Sequence, residues 1–526
     1  MMPLCAPIAD VMMSRGIEDP EQFLAPSKWS DMPAPLQIQG MKDAVDRILL
    51  AIRLKQRVAV FGDYDCDGAL SAAILQVTLG RFGARPVIYL PHRDEGYGFT
   101  NEAVHRFSLG GTDLVITIDN GINAAGPIKL ARRLGIDVVV VDHHHIEVSA
   151  QAICVWSQEY CAACLGLMLC WALLEGAHVS EVETVTVLKS LSRLAAIASI
   201  ADCVPLTGPT RILTRIGLAE LGKTTHAGLQ RLLQWACVRP GQPPSSEQIA
   251  FRVAPRINAA GRIGHPNEVI RMLSASTADE QIELALALDR LNQERRRLEG
   301  EALEELSTMV GSHIPASLVI YGPKWKKGIA GILASRARER YGVPTVVLVH
   351  DSRPGMAVGS ARSVDGFSLI EALRACRSQL HRFGGHDQAA GLTVAVECID
   401  SFRREFDTFI LKNPPQRIEV READADFDLG TADRRFFEQL RQLEPFGIGN
   451  HTPIFRVKDA VVRPATPGFV FVSQGNTRIP GLGNRGNIKA RSAESVSGRG
   501  TALIALNGTT ASLIRLIGNS ADLRAI

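Results

Sequence analysis

Four short runs in the first third of the chain are apolar at nearly every position rather than at alternate ones: Val58-Ala59-Val60-Phe61, residues 86–90, residues 114–118 and residues 137–141. A strand apolar on both sides must be covered on both faces, the condition of a parallel sheet with helices above and below. The intervals between the runs suit strand–helix–strand units, so the pattern predicts a doubly wound α/β domain. Ahead of it, residues 41–55 are amphipathic at helical spacing, and residues 1–57 read as a helical region. Residues 165–310 are helical in pattern, and residues 277–310 keep apolar positions three and four apart amid dense charge, predicting one long connecting helix. A second α/β pattern follows, with strands at 317–321, 345–349 and 392–396 and a helix at 328–341. From residue 461 on the chain is rich in Gly, Ser, Thr, Asn and Arg, with β-like runs such as Phe469-Val470-Phe471-Val472. This end reads either as a small β-barrel or as a tail without order.

Composition changes this picture little. A chain of 526 residues is too long for one ordinary domain. The expected division is 1–57 helical, 58–275 first α/β domain, 276–312 connecting helix, 313–412 second α/β domain and 413–526 a β-type region, truncated or divergent after 462. Net charge is only +3, and residues 461–526 carry eight Lys/Arg against two acids, which leaves the rest at −3. A nucleic-acid groove in the main body must therefore come from local placement of Arg and Lys. The Arg295-Arg296-Arg297 run reads first as a solvated helix face. No secretory signal is visible at Met1-Met2-Pro3 and no apolar run is long enough to span a bilayer, so a cytoplasmic protein without membrane contact is expected. Ten cysteines then read as reduced thiols, and Cys161 and Cys164, a CxxC in a strongly apolar stretch, as core filler rather than a zinc site.

The informative feature is where the acids fall. The first run is followed by Gly62-Asp63-Tyr64-Asp65-Cys66-Asp67-Gly68, the third by Asp119-Asn120-Gly121, the fourth by Asp142-His143-His144-His145. In an open parallel sheet the carboxyl ends of the strands line one crevice, so these clusters should meet in space. Four or five carboxylates there would repel one another unless cations sat between them. Oxygen donors with an imidazole suit Mn²⁺ or Mg²⁺, and two such ions can clamp a phosphoryl displacement. Each cluster alone has a plainer reading: Asp119 as a helix cap, residues 63–68 as a calcium-type loop, the histidines as a surface accident. Their joint occurrence at three strand ends favours the metal site.

These motifs, with Ile200-Ala201-Asp202-Cys203-Val204-Pro205-Leu206, resemble the four ordered motifs of the DHH phosphoesterases, most of all the RecJ exonucleases. Supporting matches are Glu95-Gly96-Tyr97-Gly98, residues 255–262, Leu291-Asn292, Trp325 with Gly328-Ile329-Ala330-Gly331, Gly359-Ser360-Ala361-Arg362-Ser363, Phe383-Gly384-Gly385-His386 and Glu444-Pro445-Phe446-Gly447-Ile448-Gly449-Asn450. The resemblance covers roughly residues 15 to 460 and implies a DHH domain, a DHHA1-like second domain and an oligonucleotide-binding barrel. It further implies that Asp65, Asp67, Asp119, His143 and Asp202 hold two metal ions, with Asp119 bridging, Asp142 orienting His143, and His144 near the scissile phosphate. Asp63 is either a further acid of the site or a loop-stabilising one. Arg93, Arg256, Asn258, Arg262, Ser360, Arg362 and His386 would contact substrate from both sides of an inter-domain cleft, each arginine having a structural salt bridge as its alternative.

The chain departs from the family pattern at Cys66, where Ala is usual, at Lys326-Lys327, at Asn450-His451-Thr452-Pro453, and beyond residue 462. The implied activity is 5′-to-3′ hydrolysis of single-stranded DNA by a monomer, in DNA repair and recombination, with a helicase and a single-strand-binding protein as partners. Two alternatives stand: a DHH-type oligonucleotide or cyclic-dinucleotide phosphodiesterase, and a catalytically inactive DNA-binding scaffold. All five implied ligands are present, which argues against the scaffold.

Overall fold

The computed structural model describes residues 4–148, 150–311, 313–416, 423–466, 469–482, 498–507 and 510–518. It divides into two compact units, one made of Pro26–Arg296 with Pro445–Asn450, the other of Met1–Ala25, Arg297–Glu444 and His451–Ile526.

The first unit is built on five strands: β1 Val58–Phe61, β2 Val87–Tyr89, β3 Leu114–Ile118, β4 Asp137–Asp142 and β5 Ile153–Trp156. They are parallel throughout and ordered β2-β1-β3-β4-β5. The unbroken apolar runs are explained by two cores. Val60, Ile116, Val139 and Val141 face one, with the helices Cys66–Arg81, Ala162–Gly176 and Glu181–Ala201. Ala59, Phe61, Val115 and Val140 face the other, with Asn101–Leu109 and Ala125–Arg133. The chain leaves β1 toward opposite edges of the sheet, so the gap between β1 and β3 is the topological switch point where such sheets bind ligands.

β5 was not legible in the pattern. It joins β4 through a loop rather than a helix, so the strand–helix–strand interval is missing, and it lies at the sheet edge with three of its four residues only partly buried. Helix Glu181–Ala201 is long and apolar enough to cross a membrane by length and composition, yet 67% of its most apolar stretch is buried within the unit. Cys161, Cys164 and Cys170 are fully buried there as well.

In the second unit β6 Leu318–Gly322, β7 Thr345–His350, β8 Met356–Arg362, β9 Leu380–Gly385 and β10 Ala389–Ala395 form a mixed sheet ordered β6-β7-β8-β10-β9. Only β6 and β7 are parallel. β8 escaped the sequence pattern because its glycine and polar positions do not make a continuous apolar run. The helix Ala278–Val310 contributes its first part to one unit and its remainder to the other.

The end of the chain is a barrel rather than a tail, over its described residues. β11 Ala425–Asp426 leads to β12 Ile454–Thr466, β13 Phe469–Gln474, β14 Thr477–Leu482, β15 Gly498–Asn507 and β16 Thr510–Gly518. The order runs β12-β13-β14-β16-β15, and β15 pairs back onto β12, which closes the ring. The end rich in Gly, Ser, Thr, Asn and Arg, read from residue 461 on, lies partly outside the described residues. The first helix, Ala6–Ser14, belongs to this unit: Ile8, Val11 and Met12 are fully buried and Arg15 pairs with Asp424 at 3.2 Å.

Ile116 lies mid-strand in β3 and is fully buried, whereas Leu109, at a helix end in the same unit, is 92% exposed. Ile116→Ala should lower the unfolding free energy of this unit by about 2–5 kcal/mol, and Leu109→Ala by less than about 0.5. Urea transitions of the two variants check the contrast; equal shifts would contradict the placement of the core.

Candidate metal centre

Asp63 and Asp65 lie in the loop after β1, and Asp67 opens the helix that follows. Asp119 stands directly after β3, and His143 and His144 directly after β4. These strands are neighbours, so their ends converge at the switch point. Asp202 arrives from elsewhere, as the residue that ends helix Glu181–Ala201. The structure brings all of them together. Ligand atoms of Asp63, Asp65 and Asp119 lie within 4.8 Å of one another, as do those of Asp67, His143 and Asp202, and those of Asp119, His143 and His144. His143 Nε2 stands 3.2 Å from Asp119 Oδ1, 3.5 Å from Asp202 Oδ2 and 3.8 Å from Asp67 Oδ2.

The local backbone explains how such a cluster is held. Asp65 caps the helix Cys66–Arg81 by accepting from Gly68 N–H at 3.0 Å. Asp67 accepts from Ala162 and Ala163 N–H at 2.7 and 2.8 Å, at the N-terminus of the helix Ala162–Gly176, the positive end of that helix's dipole. Capping and clustering therefore coexist in the same carboxylates. Asp119 adopts φ +65°, rarely populated by residues with a side chain, with its N–H on the Val141 carbonyl at 3.0 Å. Gly68 leaves room for the loop: a Cβ there would lie 2.5 Å from Asp63 N.

Electrostatically the cluster is under-compensated. Burial, followed by the charge of Asp65, pushes Asp63 up to about 8 and Asp67 up to about 7. Burial with Asp67 and Asp65 pushes Asp202 up to about 9 and Asp119 well above its ordinary value. Asp63 Oδ1 is buried without a hydrogen-bond partner. Five carboxylates and one imidazole, with an orphaned oxygen among them, fit hard divalent cations.

His144 is set apart from His143. Asp142 accepts from the Nδ1 of His144 at 2.7 Å, from the backbone N–H of His143 and His144, and from Ile122 N–H. The expectation that Asp142 orients the His143 ring is thus corrected: the short loop after β4 turns only the His143 backbone to Asp142, and the ring that it holds is that of His144. Burial disfavours charge on His144, but Asp142 outweighs it and raises the imidazole. The other nitrogen of the ring, Nε2, lies 3.0 Å from the Tyr97 hydroxyl. Tyr97 had no role assigned from sequence; its signal is the family match Glu95-Gly96-Tyr97-Gly98, whose two glycines the structure places at positive φ.

Of the expected substrate contacts in this unit, Arg93 lies 4.0 Å over the Tyr64 ring and donates to the Gly261 carbonyl, and Arg262 acts electrostatically on the Tyr64 hydroxyl. Asn258 instead accepts from Cys66 N–H at 3.0 Å and so braces the acidic loop. Arg256 takes its salt-bridge alternative, with Nε 2.7 Å from Asp289 Oδ1. In the second unit Arg362 donates to Ser360 Oγ at 2.7 Å, and a Cβ at Gly331 would lie 3.0 Å from the same guanidinium. His386 is exposed at the β9–β10 turn.

Comparison with known proteins agrees with this architecture. The DHH family N-terminal domain matches residues 57–199, the DHHA1 domain residues 315–412 and the RecJ OB domain residues 423–468. The chain is 33% identical to the single-stranded-DNA-specific exonuclease RecJ of Bacillus subtilis over 86% of its length and 59% of that protein. It is 32% identical to that of Dickeya dadantii over 79% of its length and 77% of that protein. The structure of RecJ from Thermus thermophilus in complex with Mn²⁺ superposes with a TM-score of 0.80 at 26% identity, covering 98% of this chain and 78% of that one. Fold and acidic site together define a protein of the DHH class. Within that class the chain belongs to the RecJ family. It spans 59% and 62% of the lengths of its Bacillus subtilis and Thermus thermophilus relatives.

The raised carboxyls make a signed prediction for the metal-free protein. They bind protons in the folded state that the unfolded chain releases, so their contribution is complete below the ordinary value of 3.8 and is lost as pH rises through about 7, 8 and 9. In chelator, the melting temperature should fall between pH 6 and pH 9, and Asp63→Asn should shrink the fall. Saturating Mn²⁺ should remove most of it. A profile in chelator that is flat or rising over that window would contradict the crowding of these acids.

Proposed function

We propose that this chain is a divalent-cation-dependent exonuclease that hydrolyses phosphodiester bonds of single-stranded DNA from the 5′ end. The observation that carries this reading is the pair of ligand groups linked by the 3.2 Å approach of Asp119 to His143. Two Mn²⁺ or Mg²⁺ ions held by Asp65, Asp67, Asp119, His143 and Asp202, with Asp63 in reach of the same cluster, would polarise the phosphate oxygens and activate water. Its relatives' names, single-stranded-DNA-specific exonuclease, and the Mn²⁺ and Mg²⁺ in the Thermus thermophilus structures support that assignment.

The protein's own groups do the rest. Asp142 fixes the His144 ring through Nδ1, which leaves Nε2 beside the Tyr97 hydroxyl to carry a proton toward the leaving oxygen. Asp142 outweighs burial at His144 and favours its charged form, which suits a neighbouring phosphate. Arg93 and Arg262 offer planar guanidinium groups for a terminal phosphate. Within the second unit, taken by itself, Ser360, Arg362 and His386 offer donors to substrate. Asp142 serves catalysis through His144. The enzyme acts in the cytoplasm as a monomer, alongside a helicase that unwinds duplex and a protein that coats single strands.

End-labelled single strands and duplexes, incubated with Mn²⁺ or Mg²⁺, test the reading. Single strands should be degraded from the 5′ end, duplexes spared, and Asp119→Ala should lose at least about a hundredfold in rate. Comparable cleavage by that variant would remove the two-ion reading. Preferential cleavage of dinucleotides would replace it with the oligonucleotide phosphodiesterase.

A further inference from the structure

Asp202 is the exception among the acids of the centre. Asp63, Asp65, Asp67 and Asp119 are set by the ends of β1 and β3, whereas Asp202 ends a helix. A helix C-terminus is its negative end, where a carboxylate is disfavoured. The next residue, Cys203, adopts φ +58°, rarely populated by a residue with a side chain. Among the described residues, the polar contact of the Asp202 carboxylate is His143 at 3.5 Å. A ligand in this position needs its loop fixed by something else.

The segment that fixes it comes from more than two hundred residues later, in the Glu-Pro-Phe-Gly motif for which the catalytic reading has no use. Leu206 N–H donates to the Ile448 carbonyl at 2.7 Å. A Cβ on Gly447 would stand 2.7 Å from Leu206 Cδ1, so a side chain there would have to displace the buried Leu206 side chain for the two segments to close. Gly449, at φ +76°, lies against Pro205 and Thr207. The turn is closed on itself by Gly447 N–H on the Asn450 carbonyl at 2.8 Å and by Asn450 Nδ2 on the Pro445 carbonyl at 2.8 Å. It is tied down by Phe446 N–H on Ser246 Oγ at 3.1 Å, and Ser246 and Leu206 are both buried.

We propose that the turn Pro445–Asn450 is a positioning element for the metal centre: it clamps residues 204–207 and thereby holds the Asp202 carboxylate facing His143. The proposal rests on the metal-centre reading. It predicts that loosening the turn lowers cation affinity without removing any ligand, so that excess cation restores function.

Calorimetric Mn²⁺ titration of the full chain tests it, with Gly447→Val wedging the turn away from Leu206 and Asn450→Ala deleting its internal brace. Each variant should lose roughly tenfold in Mn²⁺ affinity. The Mn²⁺ concentration for half-maximal cleavage should rise to match, while the rate at saturating Mn²⁺ stays near wild type. Asn450→Ala carries the test alone if the bulkier change prevents folding. Wild-type affinity in the variants overturns the proposal, and so does unchanged affinity with fewer ions bound per chain, the mark of partial unfolding. Failure of the wild-type chain to take up Mn²⁺ would instead sink the metal-centre reading, and this one with it.

Discussion

The burial of carboxylates at one sheet edge is the constraint around which this unit is organised. Two like charges about 4 Å apart at an effective dielectric of about 20 repel by about 4 kcal/mol. Several such pairs would consume a typical native stability of about 5–15 kcal/mol. Asp63, Asp67 and Asp119 are each at most 4% exposed, so water relieves little of this. The protein answers with partial measures: backbone N–H groups on Asp65 and Asp67, one imidazole among Asp67, Asp119 and Asp202, the Arg93 charge acting on Asp63, and raised proton affinities. The remaining charge suits the cluster to cations rather than to a salt-bridge network.

That constraint also explains why rigid elements carry the ligands. Asp67 is tied to the first turn of a helix whose flanking thiols, Cys161 and Cys164, both contact Ser199 in the core. Asp119 tolerates a left-handed backbone because its N–H is bonded to β4 and its neighbour Asn120 is buried beside it. Gly121 next to it, at φ +110°, could carry no Cβ, which would meet Thr117 Oγ1 at 2.4 Å. Strain of this kind persists only where the surrounding structure over-determines it. The doubly wound sheet does so, since both faces of β1, β3 and β4 are locked into separate cores.

What could be read without coordinates followed from the same physics. Strands β1, β3 and β4 were legible because burial on both faces leaves no alternation, and the acids were legible because they stop those runs abruptly. β2 was legible from its apolar run although its residues are exposed or half-buried. β5 and β8 were not, being an edge strand reached through a loop and an antiparallel strand with polar positions. Closure of the terminal barrel depends on β15 pairing with β12 some 40 residues earlier, a register that local pattern cannot report. Arg256 and Asn258 were legible only through their motif; their partners in the structure are Asp289 and the Cys66 N–H. Neither partner is close in sequence. Asp63 was left between two roles because an orphaned oxygen is a property of packing, invisible in residue order.

The two adjacent histidines show how one carboxylate divides labour. Burial and the neighbouring His144 lower His143 to about 4, so its imidazole is neutral at physiological pH with a lone pair available to a cation. His144, one residue on, is raised because Asp142 meets its Nδ1 at 2.7 Å. Asp142 can be that partner because it is itself held low: burial works against its charge, but the His144 ring and the N–H groups of Ile122 and His144 outweigh it. Moving the Asp142 contact from one ring to the other would favour charge on the ring among the clustered acids and withdraw that support from His144. The pairing seen in the structure therefore keeps the two rings electrostatically distinct, and it is set by a loop that points successive rings in different directions.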